Sequence, residues 1–144
     1  MSDEIYHARL IAQARAATRA GRLEAPDASV TLHNPLCGDR VTIEVTLADG
    51  RIRDLAQRVR GCLLCEAAAS AIGAHAIGET AESSEAVERG VAAMLAGTPP
   101  APESLWPDLE AFAPVRAHKS RHRCVLLPFE ALRAALSQAR ATRG

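Results

Sequence analysis

The sequence predicts an α+β fold, in which a small three-stranded antiparallel sheet carries helices packed on one of its faces. Three observations support this. Apolar spacing is helical at the start, alternates with period two between about residues 28 and 59, and is helical again afterwards. In the middle stretch Val41, Ile43, Val45 and Leu47 alternate with polar residues, and Asp49-Gly50 follows as a tight turn needing positive φ. Aromatic residues are only 3% of the chain, so the core must be built from Leu, Ile, Val and Ala.

The elements follow in order. Residues 3 to 20 read as a helix, with Ser2 as candidate N-cap, apolar Ile5, Ala8, Ile11 and Ala12, and a stop at Gly21. A short strand covers Ala28 to Leu32 and ends at Asn34-Pro35. The clearest strand runs from Arg40 to Leu47, and its return from Ile52 to about Val59. The apolar phase slips between Ile52 and Leu55, which predicts a bulge. After Gly61, Leu63 to Ile77 reads as a buried helix of small residues. A further helix is expected over Ser84 to Leu95, with Glu85 and Glu88 placed to suit its dipole. Gly97 to Pro102 is a Pro-rich connector, and Trp106 to Phe112 a short helix followed by a basic stretch. Pro128 is expected to open the last helix, through Arg140, because proline is tolerated in a first turn.

At 144 residues the chain fits one domain spanning 1–144, large enough to bury a core without staples. Lys+Arg and Asp+Glu are 17 each, which gives no electrostatic reason to expect nucleic acid or a membrane surface as partner. No apolar run approaches the roughly 20 residues that span a bilayer, and Met1-Ser2-Asp3-Glu4 is acidic and lacks the charged-then-apolar pattern expected of a signal peptide. A cytoplasmic protein is the expectation. In that compartment four cysteines point to metal or thiol chemistry before structural disulfides.

Cys37, Asp39, Cys62 and Cys124 form the candidate site. Cys37-Gly38-Asp39 offers two ligands at i and i+2 between two strands, where both side chains can face one way. Cys62 stands at an expected helix N-terminus, which favours a thiolate. Cys124 follows a basic run and precedes Val125-Leu126-Leu127. Three thiolates and a carboxylate suit zinc, and the same set suits an iron–sulfur cluster. The carboxylate is a harder, more easily displaced partner for a soft ion, so Asp39 would leave one position open to exchange or sulfur transfer. With Zn²⁺ the set carries a net charge of about −2, which Arg116, Lys119, Arg121 and Arg123 would offset. The plain alternative is a set of unrelated buried thiols.

With those residues in place, the chain resembles the iron–sulfur cluster assembly scaffold family of IscU and the NifU N-terminal domain, and is most similar to its SufU-type branch. The likeness rests on Asn34-Pro35-Leu36-Cys37-Gly38-Asp39-Arg40, the Asp49-Gly50 hairpin, Gly61-Cys62 before an Ala/Ser-rich helix, and Arg121-His122-Arg123-Cys124 leading into Phe129-Glu130-Ala131-Leu132. It covers about residues 3 to 137. The long stretch between Cys62 and Cys124 resembles the SufU-type insertion. The resemblance implies that Cys37, Asp39, Cys62 and Cys124 hold Zn²⁺ in a resting state, or iron and a nascent [2Fe–2S] cluster. It implies that Cys124 accepts persulfide sulfur from a pyridoxal-phosphate-dependent cysteine desulfurase of SufS or IscS type. A downstream iron–sulfur carrier or apo-proteins would be the recipients. It implies a scaffold and sulfur carrier, at most a sulfurtransferase, more than an enzyme with its own small-molecule substrate. Cys65 is outside the family pattern. Arg123 stands where IscU-type scaffolds carry histidine, and Pro114 to Lys119 echoes the IscU segment before its last cysteine, which would put Lys119 at the ligand position. Cys124 is preferred, because its alignment into Ala131-Leu132 needs no gap.

Two other classes compete. Cys62-Leu63-Leu64-Cys65 is a C-x-x-C at a helix start, as in thiol–disulfide redox proteins, although no βαβ unit leads into it. A structural zinc adaptor would use the same ligands but tolerate loss of Asp39. The basic run from Arg116 to Arg123 reads as a solvated loop near the site, suited to docking an acidic partner surface. His118 and His122 are expected at the surface, His33 beside the site, and His75 in a structural role.

Overall fold

The computed structural model describes residues 3–36, 38–98 and 105–143. Its elements are helix α1 (Asp3–Ala16), strands β1 (Ala28–Asn34), β2 (Asp39–Ala48) and β3 (Arg51–Arg60), then helices α2 (Leu63–His75) and α3 (Ala81–Ala96). Two 3₁₀ segments, Pro107–Ala117 and Lys119–Arg121, then lead into helix α4 (His122–Arg143). The sheet is antiparallel in the order β1-β2-β3. The α+β expectation holds.

The hairpin forms where the sequence places it. Asp49 and Gly50 take φ of 54° and 76°, the two positive values that a two-residue turn between twisted strands requires. Thr46 pairs with Asp54 but Leu47 with Ile52, so β3 carries one extra residue, Arg53. That is the bulge expected from the phase slip. Val41, Ile43, Val45 and Leu47 are buried, with α4 lying across β1 and β2 and α2 against β3. α1 packs on α2, and α3 on α4.

Three boundaries differ from expectation. The first helix stops at Ala16, before Gly21, and Ala17 and Arg19 take positive φ. The edge of β3 draws the chain away: Gln57 donates its amide to the Arg19 carbonyl (3.1 Å), and Gly21 donates to the Gln57 carbonyl (3.0 Å). The segment then crosses to the sheet's other face, where the Leu23 amide (2.8 Å) and the Ser29 hydroxyl (3.1 Å) bond the buried Glu44 carboxylate. α3 starts at Ala81, because Thr80 and Ser83 form a reciprocal cap: each side chain accepts from the other's amide, at 3.0 and 2.9 Å.

The third correction concerns the last helix. It begins at His122, and Pro128 lies inside it. An interior proline costs about 3 kcal/mol. Val125 and Leu127, both fully buried, lie N-terminal to it on the same helix. Burying each contributes about 1.5–3 kcal/mol, so carrying the helix back past Pro128 is favourable. The short helix expected from Trp106 is the longer 3₁₀ segment. Ser2 and most of the Gly97–Pro102 connector lie outside the described residues. Among the described residues no helix is long and apolar enough to cross a membrane.

Candidate metal centre

Asp39 is the first residue of β2, and the loop before it is set by Asn34. The buried Asn34 accepts from the Leu36 amide with its side chain (3.2 Å) and from the Gly38 amide with its carbonyl (2.8 Å). Asn34 also pairs with Asp39 across the two strands, so the loop closes on itself and delivers the Asp39 side chain to one end of the sheet. β3 ends at the same place. Gly61 follows it and has no side chain to obstruct the carboxylate: a Cβ there would lie 2.9 Å from Asp39 Cγ, closer than real Cβ contacts come.

Cys62 is the N-cap of α2, with extended φ and ψ of −78° and 168°. Its amide donates to Asp39 Oδ1 at 2.9 Å, and its thiol lies 3.8 Å from Asp39 Oδ2. Cys124 comes from the far end of the chain, in the first turn of α4, and is 1% exposed. The ligating atoms of Asp39, Cys62 and Cys124 lie within 4.8 Å of one another. A soft ion about 2.3 Å from each thiolate requires separations on the order of 4 Å, so the donor set fits a metal with little closing. Asp39 is also 1% exposed, and a carboxylate so buried needs opposite charge nearby.

Of the four cations weighed from sequence, Arg121 lies at the centre, while Arg123 pairs with Glu130 at 3.4 Å. The Arg121 guanidinium hydrogen-bonds the side chains of Cys62 and Cys124, and those bonds raise its pKa further above its ordinary value. Arg121 precedes Cys124 by three residues, the spacing at which neighbours on a helical turn meet. That was the sequence signal that could have singled it out. An apolar cavity of about 610 Å³, lined by Leu10, Ile11, Leu63, Leu64, Val115 and Arg121 among others, opens beside it.

Of the sequence-predicted ligands, the structure therefore brings Asp39, Cys62 and Cys124 together. Cys37 lies outside the described residues, while its neighbour Leu36 is 95% exposed. Cys65 is fully buried in the core and is not a member of the cluster. The His122 ring faces the carbonyls of Val115 and Arg116, each at 3.1 Å, and has no place in the cluster. His75 bonds Asp108 at 2.7 Å and stacks on Trp106, so it ties the 3₁₀ segment to α2.

Comparison with known proteins gives concordant matches. The family model described as NifU-like N terminal domain matches residues 5–138. Iron-sulfur cluster assembly scaffold protein IscU 1 of Archaeoglobus fulgidus is 36% identical over 80 residues, which are 55% of this chain and 52% of that protein. The chain thus spans about half the length of that relative. Iron-sulfur cluster assembly scaffold protein IscU of Streptococcus pyogenes serotype M1 is 28% identical over 118 residues, covering 82% of this chain and 74% of the relative. Among solved structures, a nitrogen-fixing NifU-like protein (N-terminal) from Brucella abortus superposes with a TM-score of 0.89 at 37% identity, covering 96% of each chain. A putative scaffold protein for the SUF system from Fervidobacterium islandicum shares the fold, with a TM-score of 0.85 at 24% identity over 94% of this chain and 99% of that one.

Proposed function

The chain belongs to the NifU-like N-terminal domain family, and on that premise we propose that it is an iron–sulfur cluster assembly protein that takes up sulfur and holds metal at one centre. The observation that carries this reading is the convergence of Asp39, Cys62 and Cys124, from β2, α2 and α4, within 4.8 Å. Cys37 is the proposed fourth ligand, on the strength of its place two residues before Asp39. The match over residues 5–138 supports treating 1–144 as one domain of this type.

The proposed donor of sulfur is a pyridoxal-phosphate-dependent cysteine desulfurase. Its persulfide passes the outer sulfur to the Cys124 thiolate: a new S–S bond forms on Cys124, the old one breaks, and the desulfurase cysteine leaves as a thiolate. Cys124 is buried and bonded by Arg121, so the guanidinium has to leave before the sulfur can be reached. The adjoining cavity supplies the space for it. Zinc bound at the four ligands would keep the thiols deprotonated and the site closed at rest. Asp39, as the hard ligand, is the one proposed to yield first. The nascent [2Fe–2S] cluster is cargo for a downstream carrier or apo-proteins, and the cytoplasm is the proposed compartment.

Incubation with a cysteine desulfurase and cysteine, followed by mass mapping of persulfides, tests the assignment. The wild type should carry persulfide at Cys124 and Cys124→Ser none; a full persulfide yield on another residue of the variant refutes the acceptor role. Asp39→Ala should lose metal to a chelator faster, by about tenfold, which a purely structural zinc adaptor would not show. Metal and acid-labile sulfide in anaerobically purified protein separate the occupants. Zinc equimolar with the chain and no sulfide favours the sulfur acceptor, and iron with matching sulfide the scaffold.

A further inference from the structure

Cys65 takes no part in the centre, yet it sits three residues after the ligand Cys62. We propose that Cys65 is the resolving thiol of Cys62: when Cys62 is oxidised, the two close a disulfide that withdraws one ligand from the centre reversibly.

The geometry of the first turn of α2 carries this. Cys62 is the N-cap and Cys65 the third helical residue, the two positions that a capping box links when each side chain bonds the other's amide. The turn is already closed, since the Glu66 amide donates to the Cys62 carbonyl at 3.0 Å. The Cys62 side chain makes no capping bond, so its sulfur is not tied to the helix amides. Cys-x-x-Cys at the start of a helix is the spacing of thioredoxin-like redox disulfides, so the chain between the two cysteines is of a length that closes one. Exposure divides the labour: Cys62 is partly exposed and Cys65 fully buried. A dissolved oxidant meets Cys62, and Cys65 is reached only from within. All three described cysteines carry thiols.

The oxidant is a peroxide. The Cys62 thiolate attacks one oxygen of hydrogen peroxide, the O–O bond breaks, and Cys62 becomes a sulfenic acid with hydroxide leaving. The Cys65 sulfur then displaces that hydroxyl. An S–S bond forms, the S–O bond breaks, and the oxygen leaves as water with the Cys65 proton. Two thiols and one peroxide give one disulfide and two waters, and a dithiol reverses the change. Cys124 is the competing partner, because its ligating atom lies within 4.8 Å of that of Cys62, whereas Cys65 shares the first turn of α2 with Cys62; peptide mapping tells the two disulfides apart.

The test is a pulse of peroxide on the full-length chain at somewhat more than about two equivalents per chain, since sulfinic acid takes two oxidations, followed by alkylation of remaining thiols and tryptic mass mapping. Residues 61–89 form one tryptic peptide containing both cysteines. In the wild type this peptide should appear short of two hydrogens and unalkylated, and dithiothreitol should restore both thiols and metal binding. In Cys65→Ala and Cys65→Ser, Cys62 should advance to sulfinic acid, which dithiothreitol does not reverse. Wild-type protein with Cys62 as sulfinic acid and Cys65 alkylated overturns the proposal, as does a disulfide from Cys62 to Cys124. The wild-type peptide decides the matter even where a variant folds poorly. Sulfur acceptance at Cys124, measured separately, stands or falls without affecting it.

Discussion

At the scale of single residues, the centre depends on space as much as on ligands. Asp39 holds a buried carboxylate where water cannot solvate it, and it accepts from the Cys62 amide at 2.9 Å. The room for that carboxylate comes from Gly61. An alanine there would put its Cβ 2.9 Å from Asp39 Cγ, so either the carboxylate swings out or the end of β3 shifts. Gly61→Ala should therefore weaken zinc binding by about tenfold or more and cost about 1–3 kcal/mol of stability. Competition with a chromophoric chelator and thermal unfolding measure the two effects, and unchanged zinc affinity would show that Asp39 is not confined by Gly61. Arg121 acts in the other direction, by offering charge. Its already high pKa is raised further, so it stays cationic wherever the fold persists, and any pH dependence of the centre comes from its thiols and carboxylate.

At the scale of elements, α3 and α4 meet through a charged cluster. Glu88 bonds Arg133 at 3.0 Å, with Glu85 and Arg89 beside it on α3 and Glu130 facing it from α4. Burial raises the Glu88 carboxyl above its ordinary range; Arg133 opposes that, Glu130 and Glu85 add to it, and Arg89 lowers it. The folded state thus keeps a proton that the unfolded chain has already lost. Stability from this group is complete below the ordinary glutamate pKa and is lost as pH rises through the raised one. Glu88→Gln keeps the shape without the charge, so the wild type should lose stability relative to the variant across that window. Denaturant midpoints at a series of pH values check this, and parallel profiles would sink it. Legibility in sequence also differed by element. The β2–β3 hairpin was readable to its bulge because alternation and Asp49-Gly50 are local signals. The start of α4 was not, because burial of Val125 and Leu127 outweighs the local meaning of Pro128. The cap of α3 was missed by the reading that began the helix at Ser84, although Thr80 and Ser83 have the spacing of a reciprocal cap. Asp39, Cys62 and Cys124 were legible as ligand types, whereas the choice of Arg121 among four cations depends on where the 3₁₀ segments deliver it.

At the scale of the whole molecule, the centre is made by folding. β2, α2 and α4 contribute one described ligand each, and no two of these ligands lie close enough in sequence to bind a metal together in the unfolded chain. An ion that binds the folded state alone stabilises it by mass action, by about 2.7 kcal/mol at ~100 times its Kd. For a chain of this length that corresponds to a rise in Tm of about 5–10 °C. Zinc should therefore raise the Tm of metal-free wild-type protein by that order, and a chelator should return it. The shift should be much smaller in Cys62→Ser, Cys124→Ser and Asp39→Ala, each compared with its own metal-free form, because all three positions converge on one ion. Acid should abolish it in the wild type, since protons compete for the thiolates and the carboxylate. If instead the three variants respond to zinc as fully as the wild type, the ion binds elsewhere. The cluster of Asp39, Cys62 and Cys124 would then owe its closeness to packing, to the bond from the Cys62 amide to Asp39, and to Arg121.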